Sequence, residues 1–455
     1  MSGKAVLILV LGFTLIFAVM GYFWGGIATR SVDNHVSYYK TTIAHNIAVS
    51  GANIALQKVI ADSNWTSNIT NWDFEKGKLT VTITSLGPPT RTLVSTGTFM
   101  GVDQIVKVKM MRDQTSLAKY AWFIPSVSTG STNRPWITGD QVWGGFHSNQ
   151  FLVVDGDPIF YGKVTTLKGI QDQAKSPYVS DPQFLGGYKE GIKVDWTSSM
   201  HYPNYSALAT QANVNNFDKV DLWLRFNSNG TVTYASAKGG GNDSTKYASR
   251  TTIPLTDIAP DGKNAIIYNN GGDIYLSGTL SGHVTVVSEG SSGGGQGNVY
   301  LVGDMVYKTE PMIPDGAGGY MVNPASLDAD GNPKDMMGII ATNNIIVSTN
   351  DVLNNLGGYQ NNVVDKDINI DAGIFCNSGG FSVENLGKSP ADVPLGSINL
   401  IGSMTAGKEE IVADFSGNTL IDGYNRHVVF DERLATGPPT WFPYLDYYRA
   451  VSWLE

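Results

Sequence analysis

The sequence predicts a mostly β protein with one long N-terminal α-helix. Three features support this fold class: an uncharged apolar stretch that continues into a helical pattern, a set of alternating strand-like runs after it, and a recurring nine-residue phrase in the glycine-rich remainder. We expect the helix and a small antiparallel sheet to be followed by a parallel β-helix that carries a hairpin insertion.

The apolar stretch, residues 5–28, contains no charge and is long enough to cross the hydrocarbon core of a membrane. A helical pattern follows it directly, which is unlike a cleaved signal peptide, and the first proline is Pro88. The apolar positions of this pattern are Val32, Val36, Tyr39, Ile43, Ile47, Ile54 and Ile60. We therefore expect one continuous helix, with a retained membrane segment, an amphipathic outer half and an end near residues 62–65.

Three strand-like runs follow the helix, at residues 78–87, 90–101 and 103–113. Apolar and polar residues alternate along the first and third of them, and the connections between runs are short. Short connections favour an antiparallel meander, so we expect the outer half of the helix to lie on a small antiparallel sheet.

The N-terminal quarter of the chain resembles minor type IV pilins and pseudopilins. The resemblance lies in "GFTLIFAVMG" (residues 12–21), in "AHNIAVSGANIALQKVI" (residues 44–60) and in "LVSTGTFMGVDQIVKVKMMRD" (residues 93–113), since in those proteins too the helix passes into strands through a similar S-T-G phrase. It implies that the helix assembles with pilin-like subunits or with copies of itself through Phe13, Thr14, Leu15, Ile16 and Phe17.

The chain departs from the pilin pattern at Phe17, where processed pilins carry a glutamate. The resemblance implies that this glutamate neutralises the N-terminal amine of a neighbouring subunit, a strong interaction in an apolar environment. Without it, the chain fits a minor or tip position, or a lone membrane anchor, better than a major subunit. The alternative to a retained N-terminal segment is the removal of a leader peptide, with cleavage after Gly12 or after Gly3.

The glycine-rich remainder contains an internal repeat. The phrases "GDIYLSGTL" (residues 272–280), "GNVYLVGDM" (297–305) and "GSINLIGSM" (396–404) share one pattern, and the first two start 25 residues apart. "GDPIFYGKV" (156–164) is an earlier relative. Such a period favours a parallel β-helix whose inward residues are Ile274, Leu276, Val299, Leu301, Ile398 and Leu400. A sandwich of hairpins is the alternative.

Two regions depart from the repeat. Within residues 167–262, "VDLWLRFNSNGTVTYAS" predicts a hairpin around an Asn-Ser-Asn-Gly turn, which we interpret as an insertion projecting from an early coil. The aromatic C-terminal tail is suited to closing the β-helix. The tail and residues 144–164 resemble a family of bacterial envelope proteins with a pilin-like N-terminus.

The expected segments are 1–29 (membrane), 30–115 (pilin-like helix and sheet), 116–166 (first part of the β-helix), 167–262 (insertion) and 263–455 (main β-helix and cap).

Two groups of side chains are candidates for ligand binding. "DADGNPKD" places Asp328, Asp330 and Asn332 like the first half of a calcium loop, but it lacks the later glycine and glutamate of such a loop, and an ordinary turn explains it equally. "DKDINIDAG" places Asp365, Asp367 and Asp371 on one face of a strand, where they form either a solvated surface or a glycan site. No cofactor is expected.

These observations predict a non-enzymatic bacterial envelope protein. Composition excludes a basic nucleic-acid surface, because the net charge of the 455 residues is −9 and no basic run exceeds two residues. Cys376, the single cysteine, excludes an intrachain disulfide and is expected to be buried. We expect the protein to be anchored in the cytoplasmic membrane with its body outside, or to lie in a surface filament. The alternative is a membrane-tethered β-helix that binds or cleaves surface polysaccharide.

Overall fold

A computed structural model describes residues 3–61, 65–85, 90–125, 134–174, 178–194, 196, 200–241, 243–291, 295–348, 367–386, 394–416 and 419–454. The protein divides into two compact units. The first consists of Met1–Gln114 with Asp446–Glu455, and the second of Thr115–Leu445. The chain is mostly β, with one long N-terminal helix.

The helices and strands are named in chain order. They are α1 (Gly3–Ala61), β1 (Ile69–Phe74), β2 (Gly77–Ser85), β3 (Thr90–Phe99), β4 (Val102–Ser116), β5 (Trp122–Ile124), β6 (Trp136–Ile137), β7 (Gln141–Trp143), β8 (Phe146–Ser148), β9 (Phe151–Asp155), β10 (Ile159–Phe160), β11 (Val164–Thr166), β12 (Gly169–Asp172), β13 (Gln183–Phe184), β14 (Tyr188–Lys189), β15 (Met200–His201), α2 (Tyr205–Leu208), β16 (Asn216–Asp218), β17 (Asp221–Asn227), β18 (Thr231–Ala237), β19 (Thr251–Pro254), β20 (Asn264–Asn270), β21 (Ile274–Leu280), β22 (His283–Glu289), β23 (Val299–Tyr307), β24 (Met312–Pro314), β25 (Tyr320–Val322), β26 (Met336–Ala341), β27 (Ile345–Val347), β28 (Ile368–Cys376), β29 (Phe381–Val383), β30 (Pro394–Ala406), β31 (Ala413–Ser416), β32 (Thr419–Phe430) and β33 (Tyr444–Leu454).

The first unit is a helix on an antiparallel sheet, as the alternating runs predict. Strands β1, β2, β3 and β4 pair in sequence order and antiparallel, and β33 lies next to β4. Every second residue of β3 is buried, namely Leu93, Ser95, Gly97 and Phe99. This is the period expected of a strand with one covered face. Strand β1 was not predicted, because turn-forming residues precede and interrupt it.

The last residues of the chain belong to this sheet. Within the first unit, Arg112 of β4 forms an ion pair with Asp446 of β33, and Arg449 Nε lies 2.9 Å from Asp113 Oδ2. The sequence suggested that the whole aromatic tail closes the second unit. The structure instead places Tyr448 in the core under α1 and Phe442 in a core of the second unit.

The second unit is built on a 22-stranded, largely parallel sheet. Strands pair in parallel with strands further along the chain: β20 pairs with β22, β22 with β26, β26 with β28, and β28 with β30. Strands β21, β23, β27 and β29 pair in the same way. Repetition of one apolar phrase explains this register, because equivalent positions of successive copies then lie side by side.

The repeat register that the sequence predicts is confirmed. Ile274 of β21 lies opposite Val299 of β23, and Leu276 lies opposite Leu301. Ile398 and Leu400 of β30 lie opposite Ile368 and Ile370 of β28. All six predicted inward side chains are buried in one interior cluster, which also contains Cys376. The prediction that this cysteine is a buried apolar side chain is therefore also confirmed.

The hairpin is present, but its place differs from the expectation. Strands β17 and β18 pair antiparallel, with Asn227 opposite Thr231 and Gly230 in the left-handed region at φ 81°. However, β17 also pairs in parallel with β21, and Leu222 and Leu224 lie opposite Ile274 and Leu276. The apolar alternation of β17 matches that of the repeat, so this strand continues the stack and does not project from it.

Candidate functional site: the N-terminal helix and the ligand candidates

The N-terminal half of α1 has no protein surface to cover it within the described chain. Its most apolar window has a mean hydropathy of 2.6 and none of it is buried, so this helix is long and apolar enough to cross a membrane. Phe13, Leu15, Ile16 and Phe17 are all at least half exposed, Phe17 to 67%. A helix that is hydrophobic on all sides requires lipid or neighbouring helices around it.

Thr14 is the polar residue among the five assembly candidates. Its hydroxyl donates to the backbone oxygens of Val10 and Leu11, at 3.0 and 2.9 Å. A hydroxyl bonded back to its own helix costs little in an apolar environment, because no polar group is left without a partner. The segment Phe13–Phe17 therefore presents only apolar surface to its surroundings.

The distal half of α1 packs on the sheet of the first unit. The residues on its buried face are Ala44, Ile47, Ala48, Ala52, Ala55 and Val59. Their spacing of three and four residues is that of one helical face, and four alanines on it allow a close approach. Gly97 of β3, in the S-T-G phrase, lies directly against this face: a Cβ atom there would lie 2.2 Å from the carbonyl oxygen of Ala44.

The calcium candidate forms a turn that satisfies its own carboxylate. Asp328 Oδ1 accepts from the backbone nitrogens of Asp330 and Asn332, at 2.9 and 2.8 Å. These hydrogen bonds, led by that from Asn332, lower the pKa of Asp328. Among the described residues no group of three or more His, Cys, Asp or Glu side chains is arranged to hold a metal ion. The D-G-N-P turn accounts for the spacing of these residues.

The three aspartates of the glycan candidate do not form one solvated surface. Asp365 lies outside the described residues. Asp367 is exposed and accepts from the Ser397 backbone nitrogen at 2.8 Å, whereas Asp371 is only 5% exposed. Strand alternation correctly separates Asp371 from Ile368 and Ile370, but other parts of the second unit cover this face of β28 at Asp371.

Asp371 lies in a buried polar cluster that the sequence did not indicate. Its Oδ2 accepts from the Tyr307 backbone nitrogen at 2.8 Å. Nearby, Arg433 binds Asp431 with two nitrogens, Nε to Oδ1 at 2.9 Å and Nη2 to Oδ2 at 2.7 Å, and its guanidinium lies 5.3 Å from the centre of the Tyr307 ring. Burial raises the pKa of Asp371 to about 7, and the charges of Asp431 and Glu310 add to this shift.

This raised pKa predicts a pH-dependent stability. Because the native state holds the Asp371 proton more tightly than the unfolded state, the stability from this group is complete below about pH 4 and is lost as the pH rises to about 7. We expect Asp371→Asn to keep the hydrogen bond from Tyr307 and to remove the buried charge. The variant should be more stable than the parent by about 1–3 kcal/mol above pH 7 and should differ little at pH 4.

The measurement is thermal unfolding of both proteins across this pH range. Asp367→Asn is the matched control, since it makes the same chemical change at an exposed position of the same segment, and it should show no comparable gain in stability above pH 7. A lower melting temperature for Asp371→Asn at pH 8 would contradict the prediction, because it would mean that Asp371 is held as a carboxylate by Arg433.

A cleft of about 340 Å³ opens on the outer face of the parallel strands. Its floor includes Tyr268, Val287, Ile340 and Phe375, which occupy one register position on β20, β22, β26 and β28. Tyr202 lies over the floor, with its ring 5.8 Å from that of Phe375 at an angle of 73°. Sequence reasoning missed these residues, because the outward positions of the repeat vary where the inward ones recur.

Comparison with protein-family models and with curated proteins gave no match. Among solved structures, the chain matches the competence-associated pilin ComZ from Thermus thermophilus with a TM-score of 0.32 and 12% sequence identity. The match covers 91% of this chain and 97% of that chain. The TM-score is below 0.5, so this likeness carries no inference about what the chain does.

Proposed function

We propose that this chain is a non-enzymatic, pilin-like protein of the bacterial cell envelope, acting as a minor subunit of a type IV pilus-like filament. The observation that carries the proposal is the division of α1 into two halves. The proximal half is apolar and exposed, while the distal half is buried on an antiparallel sheet. A protein built in this way carries a folded body on a helix that needs lipid or other helices around it.

We further propose that the body is a parallel β-helix held outside the membrane. The supporting observation is the register: each phrase of the repeat pairs in parallel with a later segment, and the apolar positions align into interior rows. The net charge of −9 and the glycine- and asparagine-rich composition suit an exposed body. Such a body gives the filament a large lateral or terminal surface.

Substitution of Phe17 tests the assembly role. Phe17→Leu keeps an apolar side chain and should retain the protein both in membranes and in filaments sheared from cells. Phe17→Glu places a carboxylate within the apolar helix, where it is expensive unless a cation lies within reach. We expect this variant to remain in membranes, since one charge within a long apolar helix is tolerated, but to be lost from sheared filaments. The measurement is immunoblotting of both fractions.

Two outcomes separate assembly from simple anchoring. Loss of filament recovery with Glu and its retention with Leu supports packing of the helix against other subunits. If the parent itself is never recovered with sheared filaments, while it stays in the membrane fraction, the pilin-like role is wrong and the helix is a tether. Release of the parent into the soluble fraction would overturn both roles.

A further inference from the structure

We propose that Tyr22 and Trp24 of α1 bind the lipid headgroup layer at the outer surface of the membrane and fix the depth at which the helix lies. This inference rests on the proposed function, because it requires α1 to enter a bilayer. It names the partner of this part of the helix, which is the layer of ester groups, phosphates and water at the membrane surface. It also assigns the hydrocarbon core to residues 5–21 alone.

The chemistry of three consecutive side chains carries the proposal. Tyr22, Phe23 and Trp24 lie near the end of the apolar stretch, and they are 82%, 62% and 76% exposed. Tyrosine and tryptophan each combine a large apolar ring with one polar group, and both are enriched where hydrocarbon meets water. At that depth the Tyr22 hydroxyl and the Trp24 indole N–H bind lipid oxygens or water, while the rings stay in apolar surroundings.

The spacing of the charged residues along α1 agrees with this depth. Trp24 follows Lys4 by 20 residues, which is about 30 Å of helix and equals the thickness of a typical hydrocarbon core. Arg30 lies about 9 Å further along the helix, and its long side chain can reach the lipid phosphates. Lys4 and Arg30 are both exposed, and no Asp, Glu, Lys or Arg lies between them. The two cations therefore face the anionic groups of the two membrane surfaces.

A deeper position of the helix fits these side chains less well. If all 24 residues from 5 to 28 lay in the core, they would span about 36 Å, which is more than the core thickness. The polar groups of Tyr22 and Trp24 would then lie in hydrocarbon, where a polar group without a partner is costly. Thr14 shows the contrast, because it lies in the middle of the assigned core and its hydroxyl donates to carbonyl oxygens of its own helix.

The assigned depth separates the sheet of the first unit from the membrane. On α1, Tyr39 already contacts the sheet, with its ring 5.9 Å from that of Phe99. Tyr39 follows Trp24 by 15 residues, which is about 22 Å of helix and more than the thickness of one headgroup layer. Residues 31–38 therefore lie in water between the membrane and the sheet, and all of them are exposed.

The test is thiol labelling of the full-length protein in lipid vesicles that carry the body outside. Cys376, the single native cysteine, is completely buried, so an introduced cysteine can be labelled alone. A membrane-impermeant maleimide reacts with thiolates in water and not with thiols in hydrocarbon. We expect Ile16→Cys and Met20→Cys to react about a hundredfold more slowly than Ser31→Cys, and Ile27→Cys to react at an intermediate rate.

Removal of the two aromatic anchors should move this boundary. In the double variant Tyr22→Ala/Trp24→Ala the apolar stretch is free to lie deeper, so labelling of Ile27→Cys should slow about tenfold. Tyr38→Ala is the matched control, because Tyr38 is 74% exposed on the same helix but lies in the segment assigned to water. This control should leave the labelling of Ile27→Cys unchanged.

The outcomes separate the depth of the helix from its insertion. Slow labelling of Ile16→Cys and Met20→Cys, with a shift at Ile27→Cys only in the double variant, supports the proposal. Rapid labelling of Ile16→Cys would mean that the helix does not enter the bilayer, which overturns the membrane role and this inference together. If Ile16→Cys is protected but Ser31→Cys is protected equally, or if the double variant changes nothing, the assigned depth alone is wrong. Labelling in denaturing detergent confirms that each introduced thiol can react.

Discussion

Replacing Leu301 by aspartate is expected to unfold the second unit. Leu301 is completely buried in the interior cluster, and it lies between Leu276 and Val347 on the paired strands β21 and β27. An aspartate there would place an unpaired carboxyl group among aliphatic side chains, with no partner to offset its lost hydration. We expect a loss of about 5 kcal/mol or more, which is comparable to the whole stability of a typical domain.

Two matched variants separate this effect from general damage. Leu301→Met keeps an apolar side chain of similar volume and should cost less than about 1.5 kcal/mol. Leu185→Asp makes the same chemical change at a position that is 63% exposed in the same unit, and it should leave stability nearly unchanged. Thermal unfolding and protease resistance of the full-length protein are the measurements. If Leu301→Asp melts as Leu185→Asp does, the interior register is wrong.

Leu301 also illustrates what a single sequence reveals about this fold. Its position was predictable because the interior of the second unit repeats: each phrase must supply an apolar residue at the same place for the next to pack on. The same reasoning applies to α1, whose apolar proximal half and periodic distal half are both visible as patterns. Interior rows of side chains and membrane-length helices leave such patterns because they require only that certain positions be apolar. They do not require that one particular residue contact another.

The outer face of the strands follows no such rule. Asp371 and Asp367 have the same alternation in sequence, yet one is buried beside Asp431 and Arg433 and the other is exposed. Burial of Asp371 depends on the segment that contains Asp431 and Arg433, sixty residues further along the chain. No local sequence pattern predicts that these segments meet. The cleft was missed for the same reason, since Tyr202 and Phe375 meet only after folding. The insertion of the second unit between β4 and β33 was also hidden, because β33 joins its sheet from the far end of the chain.

Replacing Gly97 by valine is expected to separate the distal half of α1 from its sheet. A Cβ atom at residue 97 would lie 2.2 Å from the carbonyl oxygen of Ala44 and 2.6 Å from the backbone nitrogen of Ala48. These are backbone atoms of a regular helix, so they cannot rotate away as the end of a side chain could. Movement of the helix would uncover Ala48 and its neighbours on the buried face. We expect a destabilisation of about 3 kcal/mol or more for the first unit.

Thr96→Val is the control for this substitution, because Thr96 is adjacent on β3 but its side chain alternates to the face away from α1. Valine favours strands, so this variant should retain the stability of the parent. Amide hydrogen exchange of the full-length protein measures the effect at the contact itself: exchange in residues 44–59 should accelerate in Gly97→Val, while exchange in β28 and β30 should not. Equal protection of residues 44–59 in the two variants would mean that the helix is not seated on this glycine. In that case, close packing against the small residues of the helix face would not be the reason why residue 97 is a glycine.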